Sequence, residues 1–465
     1  APTPPTCSAR SILPKGAPPV APVAGGIGLH TAAACRAAGA AGVILDDALL
    51  LLRESPLPPR QRALLQPVGS QDTAVVQGCR VVVRPGFNAG RRAVGQAEDA
   101  APLRLGYGDP EQEAWPLGQS VGWAAAFAHR YGTVGRTFQA IRTASAEHLP
   151  AAVAAAPLAP DAPLAQFHGT RYPIVQGPMT RVSDRAEFAA AVAASGALPL
   201  LALAQLRGEE ATQLLTATQQ LLAGRSWGVG LLGFLPPELR AEQMAAVLAA
   251  KPPFALIAGG RPDQAAPLEA LGIPTYLHVP TAEILRLYLE QGARRFVFEG
   301  AECGGHTGPL NSFPLWESMV EQLLHAAPGA LAEMQILFAG GIHDAASAAM
   351  IAALAAPLAQ RGAAIGVLMG TAYLFTAEAV AAGAIVPTMQ EQALACRTTV
   401  TLETGPGHII RCAPTPFTAT FAAERARLRA AGASEAAITA ALEQLLLGRL
   451  RIAAKGLVLS LIHIS

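Results

Sequence analysis

The chain has 465 residues, 51% of them hydrophobic and 14% charged, with a formal net charge of +1. A chain of this size and composition buries at least one large core, and its near-neutral balance excludes a basic stripe for nucleic acid or a polybasic membrane anchor, leaving a small-molecule or carrier-bound substrate. Its six cysteines (Cys7, Cys35, Cys79, Cys303, Cys396, Cys412) lie far apart with no C-x-x-C pair, which argues against a disulfide framework or a zinc site and fits a reducing cytoplasm.

Near the amino end, Ala24-Gly25-Gly26-Ile27-Gly28 leads into a helical stretch and then Gly42-Val43-Ile44-Leu45-Asp46-Asp47-Ala48. The same order recurs at Ala339-Gly340-Gly341-Ile342, a helix, and Gly366-Val367-Leu368-Met369-Gly370-Thr371-Ala372, an internal repeat. Residues 1–85 therefore read as a partial, degenerate barrel repeat, the last two βα units of a barrel whose earlier strands would precede Ala1. Both ends, Ala1 and residues 457–465, read as cuts in a longer polypeptide. Residues 86–163 read as a helical connector, with a helix over 113–148 carrying Trp115, Val121, Trp123 and Phe127 on one apolar side, followed by an Ala/Pro-rich linker over 150–163.

From Pro173 onward one unit repeats: a short apolar run, a Gly- or Pro-containing turn, and an Ala/Leu-rich helix. Strands are expected to start near Pro173, Leu198, Gly228, Phe254, Thr275, Arg295, Gln335 and Ala364. Eight such runs alternating with helices imply an α/β fold, a (β/α)₈ TIM barrel over 164–400. The open doubly wound sheet is the alternative, but no G-x-G-x-x-G follows any of these strands. The longest apolar stretch, 189–206, contains Ser195, Gly196, Pro199 and Gln205 and reads as helix, turn and strand rather than a membrane span. A C-terminal loop and helical extension fills 401–465.

The most informative residues are 299–308, EGAECGGHTG. An apolar run ending in Glu299-Gly300 reads as a strand leaving its sheet, and Gly304-Gly305 lets the backbone approach a ligand closely. His306 is then expected at a strand's carboxyl end, where parallel α/β folds bind ligands, as a candidate acid or base. Gly340-Gly341 and Gly370-Thr371, at adjacent strand ends, offer backbone N–H groups, a hydroxyl and helix N-termini suited to a phosphate. The first repeat has Asp46-Asp47 in place of Gly370-Thr371. A carboxylate about 5 Å from a phosphate charge costs on the order of 3 kcal/mol per charge pair at an effective dielectric near 20, so this copy should bind no cofactor. Gln176-Gly177-Pro178-Met179 ends the first strand, with Met179 a soft surface for a flat ring. His278, ending the fifth strand, and His408 read as mainly structural.

These motifs together resemble the nitronate monooxygenase (2-nitropropane dioxygenase) family, which includes flavin-dependent enoyl-ACP reductases; the resemblance covers 167–375. It implies an FMN enzyme in which Gln176, Gly177 and Met179 flank the flavin ring, Gly340, Gly341, Gly370 and Thr371 hold its phosphate, Glu299, Gly304 and Gly305 line the site, and His306 faces the substrate side. Cys303 departs from the Ala or Ser usual there. The region from Thr401 and the preceding partial barrel look more like flavin domains of polyketide and polyunsaturated fatty acid synthases. The resemblance thus implies oxidation of nitronates, or NAD(P)H-dependent reduction of enoyl thioesters beside synthase domains. The alternative is a non-catalytic barrel scaffold or docking module within a megasynthase.

Overall fold

A computed structural model describes residues 23–94, 101–327, 329–405, 407–446 and 448–456; the readings made at Ala1, Cys7 and 457–465 lie outside the described residues. In chain order the strands are β1 (Val23–Ala24), β2 (Val43–Ile44), β3 (Thr73–Val76), β4 (Cys79–Val82), β5 (Ile174–Gln176), β6 (Leu198–Ala202), β7 (Gly228–Leu232), β8 (Phe254–Ala258), β9 (Thr275–His278), β10 (Arg295–Glu299), β11 (Gly305–Thr307), β12 (Gln335–Ala339), β13 (Ala364–Met369), β14 (Val400–Gly405) and β15 (His408–Cys412). The helices used below are α1 (Leu29–Ala37), α2 (Pro59–Leu65), α3 (Asn88–Ala93), α4 (Ala124–Arg130), α5 (Val134–Ala155), α6 (Pro163–His168) and α7 (Ala186–Ala194). They continue with α8 (Gly208–Leu222), α9 (Pro237–Ala250), α10 (Pro262–Glu269), α11 (Ala282–Glu290), α12 (Ser312–Leu324) and α13 (Ala345–Leu354). The last six are α14 (Ala356–Gln360), α15 (Ala377–Ala381), α16 (Pro387–Ala395), α17 (Pro416–Ala430), α18 (Glu435–Leu446) and α19 (Arg449–Lys455). The chain divides into two compact units, one of 1–155, 309–324 and 345–357, the other of 156–308, 325–344 and 358–465.

The second unit holds a closed barrel in the order β10-β12-β13-β5-β6-β7-β8-β9. All eight neighbouring pairs are parallel, and β13 closes onto β5 through Leu368 opposite Val175 and Met369 opposite Gln176. The apolar runs are continuous because both faces are buried. Leu200, Leu256, Tyr276, Val297 and Leu337 fill the interior, while Leu201, Val229, Ile257 and Leu277 point outward into a second buried cluster shared with α8, α9 and α10. Helix α6 sends Leu164 and His168 into this interior, where His168 Nε2 lies 2.7 Å from the Tyr276 hydroxyl. Burial alone holds the His168 imidazole down to about 3, so it is a neutral core residue. Residues 189–206 form α7, a turn and β6 as expected, and among the described residues no helix is long and apolar enough to cross a membrane.

After the barrel, β14 and β15 form an antiparallel hairpin, and β15 also pairs with β11. Leu402 of β14 packs with Phe421 of α17 and Ile438 and Leu442 of α18, all buried. Each such side chain contributes about 1.5–3 kcal/mol by leaving water, enough to anchor the hairpin on the helices. The expected C-terminal loop is thus a strand pair with its own core.

In the first unit, β1 and β2 run parallel with α1 between them, the βα arrangement expected for the repeat. The rest departs from a pair of βα units, since β3 and β4 form an antiparallel hairpin. The helix expected over 113–148 begins only with a 3₁₀ turn at Gln119–Trp123 and breaks between α4 and α5; Trp115, Val121, Trp123 and Phe127 are buried nonetheless. Burial there comes from tertiary packing rather than one helical face. The Ala/Pro-rich linker is helical as far as Ala155, because α5 runs through Pro150, which removes one backbone donor without breaking a helix held by packing. The helices α12 and α13, which follow β10 and β12 along the chain, group with this unit, where α13 and α5 pack against α1.

Asp46 caps the 3₁₀ turn Asp47–Leu49, the place held in the second repeat by Gly370 before Thr371–Phe375. Asp46 Oδ1 accepts from Ser120 Oγ at 2.9 Å, and Asp47 accepts from the Gly118 N–H. Burial, then repulsion from Asp46, pushes Asp47 up to about 6. The donors at this strand end are spent on the chain's own carboxylates.

The same unit contains a buried polar network. Glu317 of α12 caps α1 by accepting from the His30 and Thr31 N–H groups at 3.2 and 2.8 Å, and Glu321, one turn on, pairs with Arg130 at 2.9 Å and His30 at 3.2 Å. His30, Glu317 and Glu321 are near enough to converge on a cation, but Arg130 and the α1 donors already hold the two carboxylates. His30 Nδ1 lies 2.8 Å from His148 Nε2. Burial lowers the His30 pKa, but Glu317 and Glu321 outweigh it and the net shift is upward, whereas burial and then His30 hold His148 at about 4. The two titrate against each other. His30 contributes stability that is present below 6.5 and lost as pH rises through its folded pKa. His148 must stay neutral, so its contribution is present above 6.5 and is lost, by on the order of 3 kcal/mol, as pH falls towards 4. Urea midpoints of the whole chain should fall on the acid side, and His148→Gln should remove most of that fall; an unchanged acid slope would contradict it.

Candidate active site

Every barrel strand ends at one mouth, and the loops there carry the expected motifs. β5 ends at Gln176, which is fully buried, and Gly177 extends the ladder by donating to the Met369 carbonyl at 2.8 Å. A Cβ on Gly177 would lie 2.7 Å from Leu368 Cδ2, so the loop passes close against β13 here. Pro178 then lies across β7, near enough that a Cβ on Gly230 would meet it at 2.2 Å, and Met179 Sδ lies 3.7 Å from the Cβ position of Gly370. The loop therefore crosses the mouth and places Met179 beside the end of β13. Ser183, which sequence reading passed over, fixes it: its Oγ accepts from Gln176 Nε2 at 2.7 Å and the Met179 N–H at 3.1 Å and donates to the Gly177 carbonyl at 3.3 Å. Only its place one helical turn beyond Met179 could have signalled this.

β12 and β13 are neighbours, so Gly340-Gly341 and Gly370-Thr371 end side by side. Gly340 and Gly341 have φ of +104° and +82°, a conformation that disfavours any side chain. Gly304 closes on the same place: a Cβ there would lie 3.0 Å from Thr371 Oγ1. Gly340-Gly341 and Gly370-Thr371 thus end on adjacent strands as a glycine-lined cradle, with Gly304 against Thr371. The helix expected after Gly370 is only the one-turn Thr371–Phe375, so glycine backbone and the Thr371 hydroxyl, not a long helix, would hold an anion.

At the end of β10, Glu299 Oε2 lies 3.3 Å from His278 Nδ1. Burial raises the Glu299 pKa, opposed by His278 and by a hydrogen bond from Cys303. His278, expected to be mainly structural, is therefore a partner of the site carboxylate. The Cys303 thiol, whose role sequence left unexplained, is pushed well up by burial and by Glu299, and its sulfur also sits 3.4 Å from the His306 carbonyl. Its single S–H proton serves one of these two acceptors at a time.

His306 does not lie on the barrel strand itself. It is the middle residue of β11, paired with Ile410 of β15 in a separate three-stranded sheet. Gly305, with φ +84°, makes the turn that frees β11 from β10. The imidazole is solvent-exposed and lies 6.0 Å centroid to centroid from the exposed ring of Phe234 in the loop after β7. Loss of hydration, then positive charge on His408, holds its pKa below the ordinary histidine value. Phe234 carried no pattern in the sequence, and its contact with His306 is a product of loop closure across the mouth.

Residues 238–445, which include β11 and its hairpin partner, match the family model of nitronate monooxygenase. The likeness to nitronate monooxygenase spans 208 of the 465 residues. That family is one of flavin-dependent oxidoreductases. The chain is 28% identical over 222 residues to a Rhodococcus jostii (3aS,4S,5R,7aS)-5-hydroxy-7a-methyl-1-oxo-octahydro-1H-indene-4-carboxyl-CoA dehydrogenase, covering 46% of this chain and 55% of the relative. The chain thus spans about half the length of the curated relative it matches. Its fold is that of FabK from Thermotoga maritima, with a TM-score of 0.52 at 22% identity over 63% of this chain and 84% of FabK.

One consequence concerns the loop after β5 that crosses the strand ends. Gly230→Ala places a methyl 2.2 Å from the Pro178 ring, which cannot rotate away, so residues 177–179 must shift. Stability should fall by about 1–3 kcal/mol and flavin occupancy should drop. Thermal melts and absorbance of the purified variant test both, and wild-type values would show that the loop yields freely.

Proposed function

We propose that the chain is an FMN-dependent oxidoreductase that moves a proton at the carbon next to an electron-withdrawing group, with His306 as the acid/base residue. The observation that carries this reading is the loop after β10, whose Gly304 closes against Thr371 while its His306 ring lies 6.0 Å from Phe234 of the loop after β7. The cradle fits a phosphate, since side chains are excluded from Gly340 and Gly341 by their backbone conformation. FMN, when bound, supplies the hydride exchange that no side chain can perform. Gly340, Gly341, Gly370 and Thr371 would hold its phosphate, and Gln176, Gly177 and Met179 would lie along the ring.

Two substrate classes share this chemistry. For a neutral nitro compound, a ring nitrogen of His306 takes the proton on the carbon bearing nitrogen and leaves the nitronate, a role for which an imidazole neutral at pH 7 is ready. For an enoyl thioester, NAD(P)H supplies the hydride that reaches the β-carbon, and the His306 ring gives its proton to the α-carbon. The name of the Rhodococcus relative, a dehydrogenase of a carboxyl-CoA substrate, favours the thioester. Phe234 offers an apolar wall beside His306 for either. In the thioester case the substrate arrives as a small molecule or on an acyl carrier of a polyketide or fatty acid synthase. The test is to purify the chain, identify released flavin by chromatography, and assay a neutral nitroalkane and its nitronate with oxygen beside a crotonyl thioester with NAD(P)H. A flavin-free chain inert to both would overturn the proposal.

A further inference from the structure

We propose that Arg411 is a positioning residue for His306, which makes the C-terminal hairpin a working part of the active site; this rests on the proton-transfer role given to His306 above. β11 is only three residues long and begins at a glycine with φ +84°, so it cannot hold its own conformation. Among the described residues its strand partner is β15, and the residue opposite Gly305 is Arg411. From that position Arg411 Nε donates to the Ala301 carbonyl at 2.8 Å, and Nη1 donates to Thr399 Oγ1 at 2.9 Å. One residue therefore grips the catalytic loop twice, by backbone pairing at its end and by guanidinium at its start. Cys303 Sγ, 3.4 Å from the His306 carbonyl, tethers the middle.

The grip is transmitted to a rigid base. β14 carries Leu402 into the cluster of Phe421, Ile438 and Leu442, and a Cβ on Gly405 would lie 2.6 Å from Thr439 Oγ1, so the hairpin lies tightly on α18. A second link from the C-terminal region reaches the other side of the mouth, where Lys455 Nζ lies 2.7 Å from Asp184, the residue after Ser183. The helices beyond the barrel thus determine where the His306 ring stands without contributing a group to the glycine cradle.

The test compares Arg411→Met and Arg411→Lys, each in the wild-type chain and in the His306→Ala variant. Arg411→Met should keep its flavin, lower kcat by about 10- to 100-fold with little change in KM, and lose hydrogen-exchange protection at 305–307. Arg411→Lys, which can still reach the Ala301 carbonyl, should recover part of both. Added to His306→Ala, Arg411→Met should cost little more, because the two act through one group. Unchanged kcat and exchange, loss of flavin, or a full additional loss in the His306→Ala background would overturn the proposal. Should Arg411→Met fail to fold, Arg411→Lys read for exchange and kcat decides alone. If His306→Ala by itself leaves turnover intact, the proton-transfer reading fails, and exchange at 305–307 still reports whether Arg411 holds the strand.

Discussion

His306→Ala is expected to retain flavin and lose about 10²- to 10⁴-fold in turnover, the usual worth of a positioned acid or base. Flavin should stay because the glycine cradle lies on β12, β13 and the Gly304 turn, while His306 lies on β11 and its side chain faces Phe234. The pH dependence gives the direction of proton transfer. Partial loss of hydration, then His408, hold the imidazole below its ordinary value, so the neutral form dominates at pH 7. As a base towards a nitro compound it works above that pKa, and turnover should fall as pH drops through a limb lying below about 6.5. As an acid towards an enoyl thioester it works below that pKa, and turnover should fall as pH rises through the same limb. The limb should vanish in His306→Ala. Loss of flavin together with activity would make His306 a support of the cofactor site, and unchanged turnover would remove it from the reaction.

Thr371→Asp should yield a colourless protein. Thr371 is exposed at the start of a one-turn helix, so the change need not disturb the barrel. A carboxylate about 5 Å from a phosphate charge costs on the order of 3 kcal/mol per charge pair at an effective dielectric near 20, roughly a hundredfold or more in affinity. In the first repeat Asp46 and Asp47 occupy the matching turn and accept from Ser120 and Gly118. Normal flavin occupancy in a folded Thr371→Asp chain would contradict the phosphate assignment.

Far more of the barrel than of the catalytic loop was legible in the sequence. All eight barrel strands begin at or within one residue of the expected positions, because each is an apolar run buried on both faces and bounded by Gly or Pro. Gly177, Gly304 and Gly340 were also legible, and the contacts a side chain would make at Gly177 and Gly304, with the positive φ of Gly340, show why. The strand holding His306 was not, since Gly-His-Thr has no alternation to read and its partner lies about a hundred residues on in the chain. Ser183 and Phe234 escaped for the same reason, one a buried hydroxyl among loop residues and the other an exposed ring.

The sequence by itself determined the barrel, the order of its strands and the glycine turns at its mouth, all products of local pattern: hydrophobic runs of strand length and backbone positions open only to glycine. Tertiary structure alone decided that β11 pairs with β15, that Arg411 reaches Ala301, that His278 meets Glu299, and that α12 and α13 group with the first unit. Each joins residues far apart in the chain, and the free energy that selects such pairings comes from burial and hydrogen bonds formed only once the barrel has closed, which no local pattern encodes.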